Sequence, residues 1–366
     1  MSLLLSISTP GRICLFGEHQ DYLGLPVIAA AISRRIQITA GPASRPEVHL
    51  ALPDIHSEEQ FSLAKLPLTY QHDRDYFRSA INILLREGFQ FSSGIEGEVR
   101  GNIPINSGTS SSSALLITWL AVLTQLADNP QTLPPKRLAE LAYTAEVLEF
   151  GEPGGMMDHY STAVGGIIYL ESVPAIHLES FQPELGTFVL GDSLQPKDTI
   201  GVLKHVKFGM LAAMEKIRQY DPTFSLPDCP QEKADEYRHL LTPDEMILLQ
   251  GNLSDRDVLR EALVMFRSGT VNHRQLGALL TTHQTSLRDA KRVSTPKIDR
   301  MIEEAIKAGA YGGKINGSGG GGCMFAYAPE NPEAVADAIE RAGGKPYIIR
   351  VDQGVAVLPN TVSVDE

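Results

Sequence analysis

Cysteine is scarce in this chain of 366 residues. There are three, at positions 14, 229 and 323, odd in number, far apart and without CxxC spacing. That argues against a disulfide framework or a structural zinc site and points to a reducing compartment. Basic charge is in deficit as well: 32 Lys and Arg face 44 Asp and Glu, a net charge of −12, which argues against a general nucleic-acid binder, since that would normally carry a basic face. An anionic small ligand held by a few local donors stays compatible with that balance. The longest apolar stretch, 114–127, is broken by Thr118 and Thr124 and falls short of the ~18 residues that suggest a membrane span. The first residues, MSLLLSISTPGR, have no basic n-region and break at Pro10, so no secretory leader is expected. HExxH, GxSxG and a Cys/His cluster are absent, which leaves hydrolytic-metal and serine-triad chemistry without a foothold. The expectation is a soluble, cytoplasmic protein with no nucleic-acid or membrane partner, monomeric or homodimeric.

What is present is an ordinary globular composition, 43% hydrophobic and 21% charged. The length suggests two domains at roughly 150 residues each. Strand-like and helix-like segments mix in the first half. The stretch 26–38 reads as strand near its close. Phe77, Ala80, Ile81, Leu84 and Leu85 recur at helical spacing, as do Leu138, Leu141, Ala142, Ala145 and Leu148. GGIIYLES at 165–172 reads as a strand, and the Pro-containing stretch 172–186 as a boundary between domains 1–175 and 176–366. The second half opens with a strand at 187–190. It continues helix-compatible over 240–280, with another stripe at Ile298, Met301, Ile302, Ala305 and Ile306, and strands at 324–328 and 347–351. Without regular βαβ alternation, the class is α+β.

Three segments carry chemistry. Residues 317–322, GSGGGG, contain one side chain larger than hydrogen, so the backbone can approach a ligand and turn its N–H groups to one point, as a phosphate requires. The bland alternative is a flexible turn. The run matches GxGxxG, yet a helical segment precedes it and a strand follows, the reverse of the dinucleotide fingerprint. A Walker A loop fails too, because Gly313-Lys314 is followed by Ile315. The second segment, PINSGTSSSS at 104–113, feeds an apolar helix. One serine would cap it; four after a glycine suit a phosphate at the helix N-terminus and hydroxyl ligands for Mg²⁺. In the third, PGRICLFGEHQDYLG at 10–24, Glu18, His19 and Asp21 could hold several hydroxyls, against the alternative of a solvated turn.

In this order and at these separations the three segments resemble the motifs of the GHMP small-molecule kinases. PGRICLFGEHQDYLG is similar to the first motif, and its Gly-Glu-His-x-Asp-Tyr form to that of galactokinase and related sugar 1-kinases. INSGTSSSSA is similar to the phosphate loop, usually written with Leu at Thr109. GGKINGSGGGGC is similar to the third motif, where galactokinases typically have Thr at Asn316 and Phe at Gly320. GGMMDHY and THQTSLRDAKRVSTPKIDRMIEEA also look galactokinase-like. The Tyr-Asn-x-Arg-Arg stretch of galactokinases has no counterpart; VLKHVKFGML at 202–211 occupies its region.

The resemblance implies a two-domain GHMP kinase fold with the active site in the interdomain cleft. It also implies ATP-dependent phosphorylation of the anomeric hydroxyl of a galactose-like sugar. By position, Asp158 would be the catalytic base and Arg12 the cation that keeps it ionised and stabilises the alkoxide. Glu18, His19, Asp21 and Gly155 would contact the sugar. Gly108, Ser110, Ser111, Ser112, Ser113, Gly317 and Gly319 would bind the nucleotide, with Ser112 and Glu146 completing a Mg²⁺ site. Judged without the resemblance, Glu146 would be a solvated face residue and Arg12 a surface ion-pair member. A mevalonate kinase-like enzyme is the alternative, although that branch usually has Lys at Arg12. A non-catalytic sugar sensor on the same fold would show damage to the catalytic pair, and Arg12, Asp158 and Ser112 are all present.

Overall fold

Two antiparallel strands, β1 (Leu5–Phe16) and β2 (Val27–Ala43), form the spine of the molecule. The structure is a computed structural model describing residues 4–105, 107–152, 154–197, 201–202 and 204–359. Along the spine, successive side chains enter different cores. Cys14, Val27 and Ala29 face one; Ile13, Leu15, Ile28, Ala30 and Ile32 face the other. Strands buried on both faces read as unbroken apolar runs rather than as alternation. For that reason the pattern predicts a strand only near the close of 26–38, whereas β2 starts at Val27. Ala29, Ala30 and Ala31, poor strand formers in isolation, are completely buried there, so packing overrides propensity.

The strands β3 (Glu47–Leu52), β4 (Ser57–Ser62), β5 (Gly94–Gly101), β6 (Ile167–Glu171) and β7 (His177–Phe181) extend the spine. With a late strand, β12 (Ala356–Val357), they make an eight-stranded sheet in the order β12-β1-β2-β5-β3-β4, with β6 beside the start of β2 and β7 beyond it. Four helices cover one face: α1 (Tyr76–Arg86), α2 (Ser111–Leu126), α3 (Pro135–Tyr143) and α4 (Met157–Val164). The second half builds an antiparallel sheet from β8 (Thr187–Asp192), β9 (Gly312–Ile315), β10 (Cys323–Tyr327) and β11 (Lys345–Arg350), in the order β11-β8-β10-β9. Its helices are α5 (Gly209–Tyr220), α6 (Pro243–Arg267), α7 (His273–Asp289), α8 (Pro296–Lys307) and α9 (Pro332–Arg341).

The class is α+β, as the pattern predicts; two of the periodic stripes fall in α1 and α8, and the third begins in α3 but runs into a π-helical turn, Thr144–Leu148, where the period breaks and Leu148 is exposed. The helical region 240–280 resolves into α6 and α7. By sheet membership the first sheet takes in β7 as far as Phe181, and β12 returns residues 356–357 to it. The second core joins the halves: Ile13, Leu15 and Ile28 pack with Phe188, Leu190 and Phe325 of the smaller sheet and with Leu259 and Leu280 of α6 and α7. No helix among the described residues is long and apolar enough to cross a membrane.

Trp119, fully buried in α2, stacks edge-on against Phe77 at 5.9 Å and donates its indole N–H to the Phe77 carbonyl at 3.1 Å. Trp119→Ala should lower unfolding stability by about 3–5 kcal/mol, read from urea denaturation followed by circular dichroism. A loss under about 1 kcal/mol would show that the α1–α2 packing is not a stability anchor.

Candidate active site

β1 does not pair evenly with β2. Its register shifts between Pro10 and Arg12 and again between Cys14 and Phe16. Irregularities of this kind re-aim side chains, and Arg12 crosses to α4. There its Nε and Nη2 donate to Asp158 Oδ1 at 2.9 and 2.7 Å. Its Nη1 donates to the Gly108 carbonyl and its backbone N–H to Thr109 O at 3.1 Å. Arg12 is 4% exposed and Asp158 34%, because the carboxylate opens into a cavity. Burial pushes the Asp158 pKa up, but the Arg12 charge and hydrogen bonds outweigh it, with help from His159 and the Ser110 hydroxyl, and hold it below the usual aspartate value. Asp158 also stands in the first turn of α4, where the helix dipole favours an anion. Both guanidinium donors take Oδ1, so Oδ2 lies outside the pair.

The serine run reaches the same cavity. α2 begins at Ser111, and its N-cap Ser110 makes no side-chain capping bond. Ser112 and Ser113 line the cavity at the helix N-terminus. Ser113 donates to Glu146 Oε2 at 2.7 Å, and His159 Nε2 donates to the same oxygen at 2.8 Å. Glu146 sits in a wide π-helical turn, Thr144–Leu148, that continues α3. Turns of this kind recur at functional sites, and this one buries a residue that the helical pattern alone would place on a solvated face. Burial raises the Glu146 pKa, but His159 and the two serines bring it below the usual value.

The glycine loop packs backbone against backbone on the serine loop. A Cβ at Gly317 would stand 2.8 Å from the Gly108 carbonyl oxygen, and one at Gly108 2.9 Å from that of Asn316. Both glycines also have positive φ, 78° and 88°. Asn316 locks the junction: its Oδ1 accepts from Cys14 N–H at 2.9 Å and its Nδ2 donates to Gly108 O at 2.8 Å. Gly319 instead packs on Val293, which a Cβ would meet at 2.6 Å.

The strap 17–24 closes the other end. Glu18, 2% exposed, is held at Oε1 by Lys314, and its buried Oε2 has no partner among the described residues. His19 donates from Nε2 to the Ser318 carbonyl at 3.0 Å, so its Nδ1 accepts from Tyr22 OH, also at 3.0 Å. Burial and the nearby Lys291 lower its pKa to about 3, keeping the ring neutral and both nitrogens occupied. Asp21 touches Gly155 so closely that a Cβ there would stand 1.6 Å from Oδ2. Burial, joined by the charge of Asp158, raises the Asp21 pKa to about 6.

The cavity, about 280 Å³, is lined by Arg12, Glu18, His19, Asp21, Ser112, Ser113, Glu146, Gly155, Asp158 and Gly317, all singled out from sequence. Gly108, Ser110, Ser111 and Gly319 lie outside that lining. Sequence reasoning missed Arg74, Tyr76 and Glu152, which also line it, Arg74 donating to both Glu152 oxygens at 2.7 Å. It also missed Asn316, Lys197 and Lys314. Lys197 lies against the glycine loop, and burial and the charge of Arg12 lower its pKa. The only sequence signal for Lys314 was its place in Gly313-Lys314, beside the glycine run.

Glu146 and Ser112 are hard oxygen donors facing one space, which suits a divalent cation. Among the described residues no group of three or more His, Cys, Asp or Glu could hold one alone. Two protein ligands completed by phosphate oxygens and water are the usual arrangement for Mg²⁺.

Family models match three segments: the GHMP kinases N terminal domain over 75–166, the GHMP kinases C terminal over 268–345, and the galactokinase galactose-binding signature over 5–42. Mevalonate kinase of Thermococcus onnurineus is 27% identical, covering 96% of this chain and 97% of its own. Galactokinase of Pyrococcus furiosus is 25% identical over 96% and 99%. The structure of Lactococcus lactis galactokinase with galactose superposes with a TM-score of 0.83 at 24% identity, covering 97% of this chain and 95% of that one.

Asp21 and Asp158 repel, so Asp158→Asn should lower the Asp21 pKa from about 6 toward the usual value, while burial keeps part of the shift. Carboxyl ¹³C NMR titration measures it. An unchanged Asp21 titration would show that the two carboxylates do not share a field.

Proposed function

Because this chain belongs to the GHMP kinases, ATP-using phosphotransferases that act on a hydroxyl group, we propose that it phosphorylates the anomeric hydroxyl of a galactose-like sugar. One observation carries the choice of acceptor. The cavity is lined by Asp21 and by Glu18, whose buried Oε2 has no partner among the described residues. Its two lining arginines are each committed to a carboxylate, Arg12 to Asp158 and Arg74 to Glu152. Such a lining accepts hydrogen bonds from a neutral polyol, whereas a mevalonate carboxylate would need a cation.

Asp158 Oδ2 then accepts or orients the proton of the attacking hydroxyl. Arg12 holds that carboxylate ionised and stands beside the oxygen where negative charge develops. The triphosphate lies against the N-terminus of α2 and the Gly317 loop, with Lys197 at its flank. Bound Mg²⁺, held by Glu146 and Ser112, would neutralise phosphate charge. Positioning and charge neutralisation are most of what phosphoryl transfer asks of a protein. The second reading, a mevalonate kinase, is favoured by the curated relatives, which include several mevalonate kinases at 27% identity.

A panel of sugars and mevalonate, offered with MgATP, separates the two. At least one sugar should yield an anomeric phosphate; turnover of mevalonate with every sugar ignored would reverse the ranking. Asp158→Ala should cut kcat by about 10²–10⁴-fold while nucleotide affinity, measured by calorimetry, stays within about twofold. Near-normal turnover would remove Asp158 from the mechanism. Asp21 binds hydroxyls as an acceptor when ionised, so acceptor kcat/KM should fall as pH drops through about 6. Asp21→Asn should flatten that limb, and an unchanged limb would assign it elsewhere.

A further inference from the structure

Two buried ammonium groups converge on one residue of the acceptor pocket. Lys314 on β9, fully buried, donates to the Cys14 carbonyl at 3.0 Å, to the Ile315 carbonyl at 2.9 Å and to Glu18 Oε1. Its three protons are all used. Lys291, just past α7 and also fully buried, donates to the Glu18 backbone carbonyl at 2.9 Å and pairs with Asp255 of α6 at 2.8 Å. Glu18 is thus gripped at its carboxylate by one lysine and at its main chain by the other. Both come from the second half of the chain, nearly 300 residues away.

We infer that Lys291 and Lys314 are positioning residues for the acceptor, a clamp that fixes Glu18 in the wall of the acceptor pocket so that a small shift offers Oε2 to a substrate hydroxyl. This rests on the phosphotransfer reading above. Structural need alone accounts poorly for the arrangement. Replacing buried ion pairs with apolar side chains of similar size is often neutral or stabilising, and the surrounding core is already apolar. The cluster is electrically closed: two lysines balance Glu18 and Asp255. His283, which stacks on Phe16 at 5.9 Å, is kept neutral by burial and by the two ammoniums. The clamp leaves one carboxylate oxygen of a cavity-lining residue buried and without a partner among the described residues.

The test compares wild-type, Lys314→Met, Lys314→Arg, Lys291→Met, Glu18→Gln and the Glu18→Gln/Lys314→Met pair. All are full-length, with MgATP and the best acceptor from the sugar panel. Lys314→Met should raise acceptor KM about 10- to 100-fold, the value of a charge-assisted hydrogen bond, with ATP KM unchanged and kcat within about threefold. Lys314→Arg should recover part of that loss, and Lys291→Met should raise acceptor KM in the same way. Because Lys314 acts through Glu18, the double variant should be no worse than Glu18→Gln alone, a non-additivity that a merely structural lysine would not give. The double variant also buries no unpaired charge, so it carries the test if Lys314→Met does not fold. Unchanged acceptor KM in the lysine variants, a parallel rise in ATP KM, or additive losses would overturn the clamp while the kinase reading stands. A wild-type protein inert toward every acceptor would overturn that reading, and the clamp with it.

Discussion

One buried side-chain amide sets the spacing of the site. Asn316 is completely buried and joins three chain segments that are remote in sequence: β1 through the Cys14 N–H, the serine loop through the Gly108 carbonyl, and β10 through its own N–H to Cys323 O at 2.9 Å. An unmade bond at any of these groups would leave a buried polar atom unpaired, at a cost of about 1–3 kcal/mol. The three segments therefore have little freedom to separate. With them fixed, Gly108 and Gly317 meet without side chains between them, and Arg12 reaches both the Gly108 carbonyl and Asp158. The Arg12–Asp158 pair and the two loops suited to phosphate share one frame, instead of being positioned independently.

Within that frame the carboxylates follow a common pattern. Asp158 gives Oδ1 to Arg12, Glu146 gives Oε2 to Ser113 and His159, and Glu18 gives Oε1 to Lys314. In each case the named partners converge on one oxygen. Fixing a carboxylate by one oxygen orients the other without neutralising its role as an acceptor, and this is the pre-organisation that phosphoryl transfer exploits. Asp21 is the exception. Among the described residues it takes no hydrogen bond from a cation, Lys207 acts on it only through its charge, and its pKa rises to about 6 instead of falling. A carboxylate in that condition gains most from hydroxyl donors supplied by a ligand.

The motifs were legible in the sequence because each is a local anomaly of composition: six residues with one side chain, four serines after a glycine, three ionisable groups between glycines. The residues that hold the motifs together were not. Lys314, Lys291 and Asn316 are single polar residues outside those anomalies, and partners of each lie some 200–300 positions away. Nothing in a local window distinguishes them from surface residues. Glu146 was hidden differently, by a π-helical turn that breaks the period on which helical faces are read. The start of β2 was hidden by its alanines, whose burial on two faces removes the alternation that marks a strand. The cost of each miss is therefore physical and specific: long-range pairing, a changed helical period, and burial on both sides.

The acceptor question turns on the same electrostatics. A GHMP kinase must already hold the charge of a triphosphate, and the two arginines that line the cavity are each paired with a carboxylate, Arg12 with Asp158 and Arg74 with Glu152. An anionic acceptor would bring a further negative group against Asp21 and Glu18, in a space where burial already disfavours the charge on Asp21. A neutral sugar meets the same wall with donors, and each hydroxyl it offers relieves an unpaired or desolvated oxygen. Likeness in overall sequence weighs the family as a whole, whereas on the proposed reading the acceptor is chosen by a handful of side chains around 18–22 and 155. At identities near 27%, those few positions are where related kinases can diverge while the phosphate-binding frame stays the same.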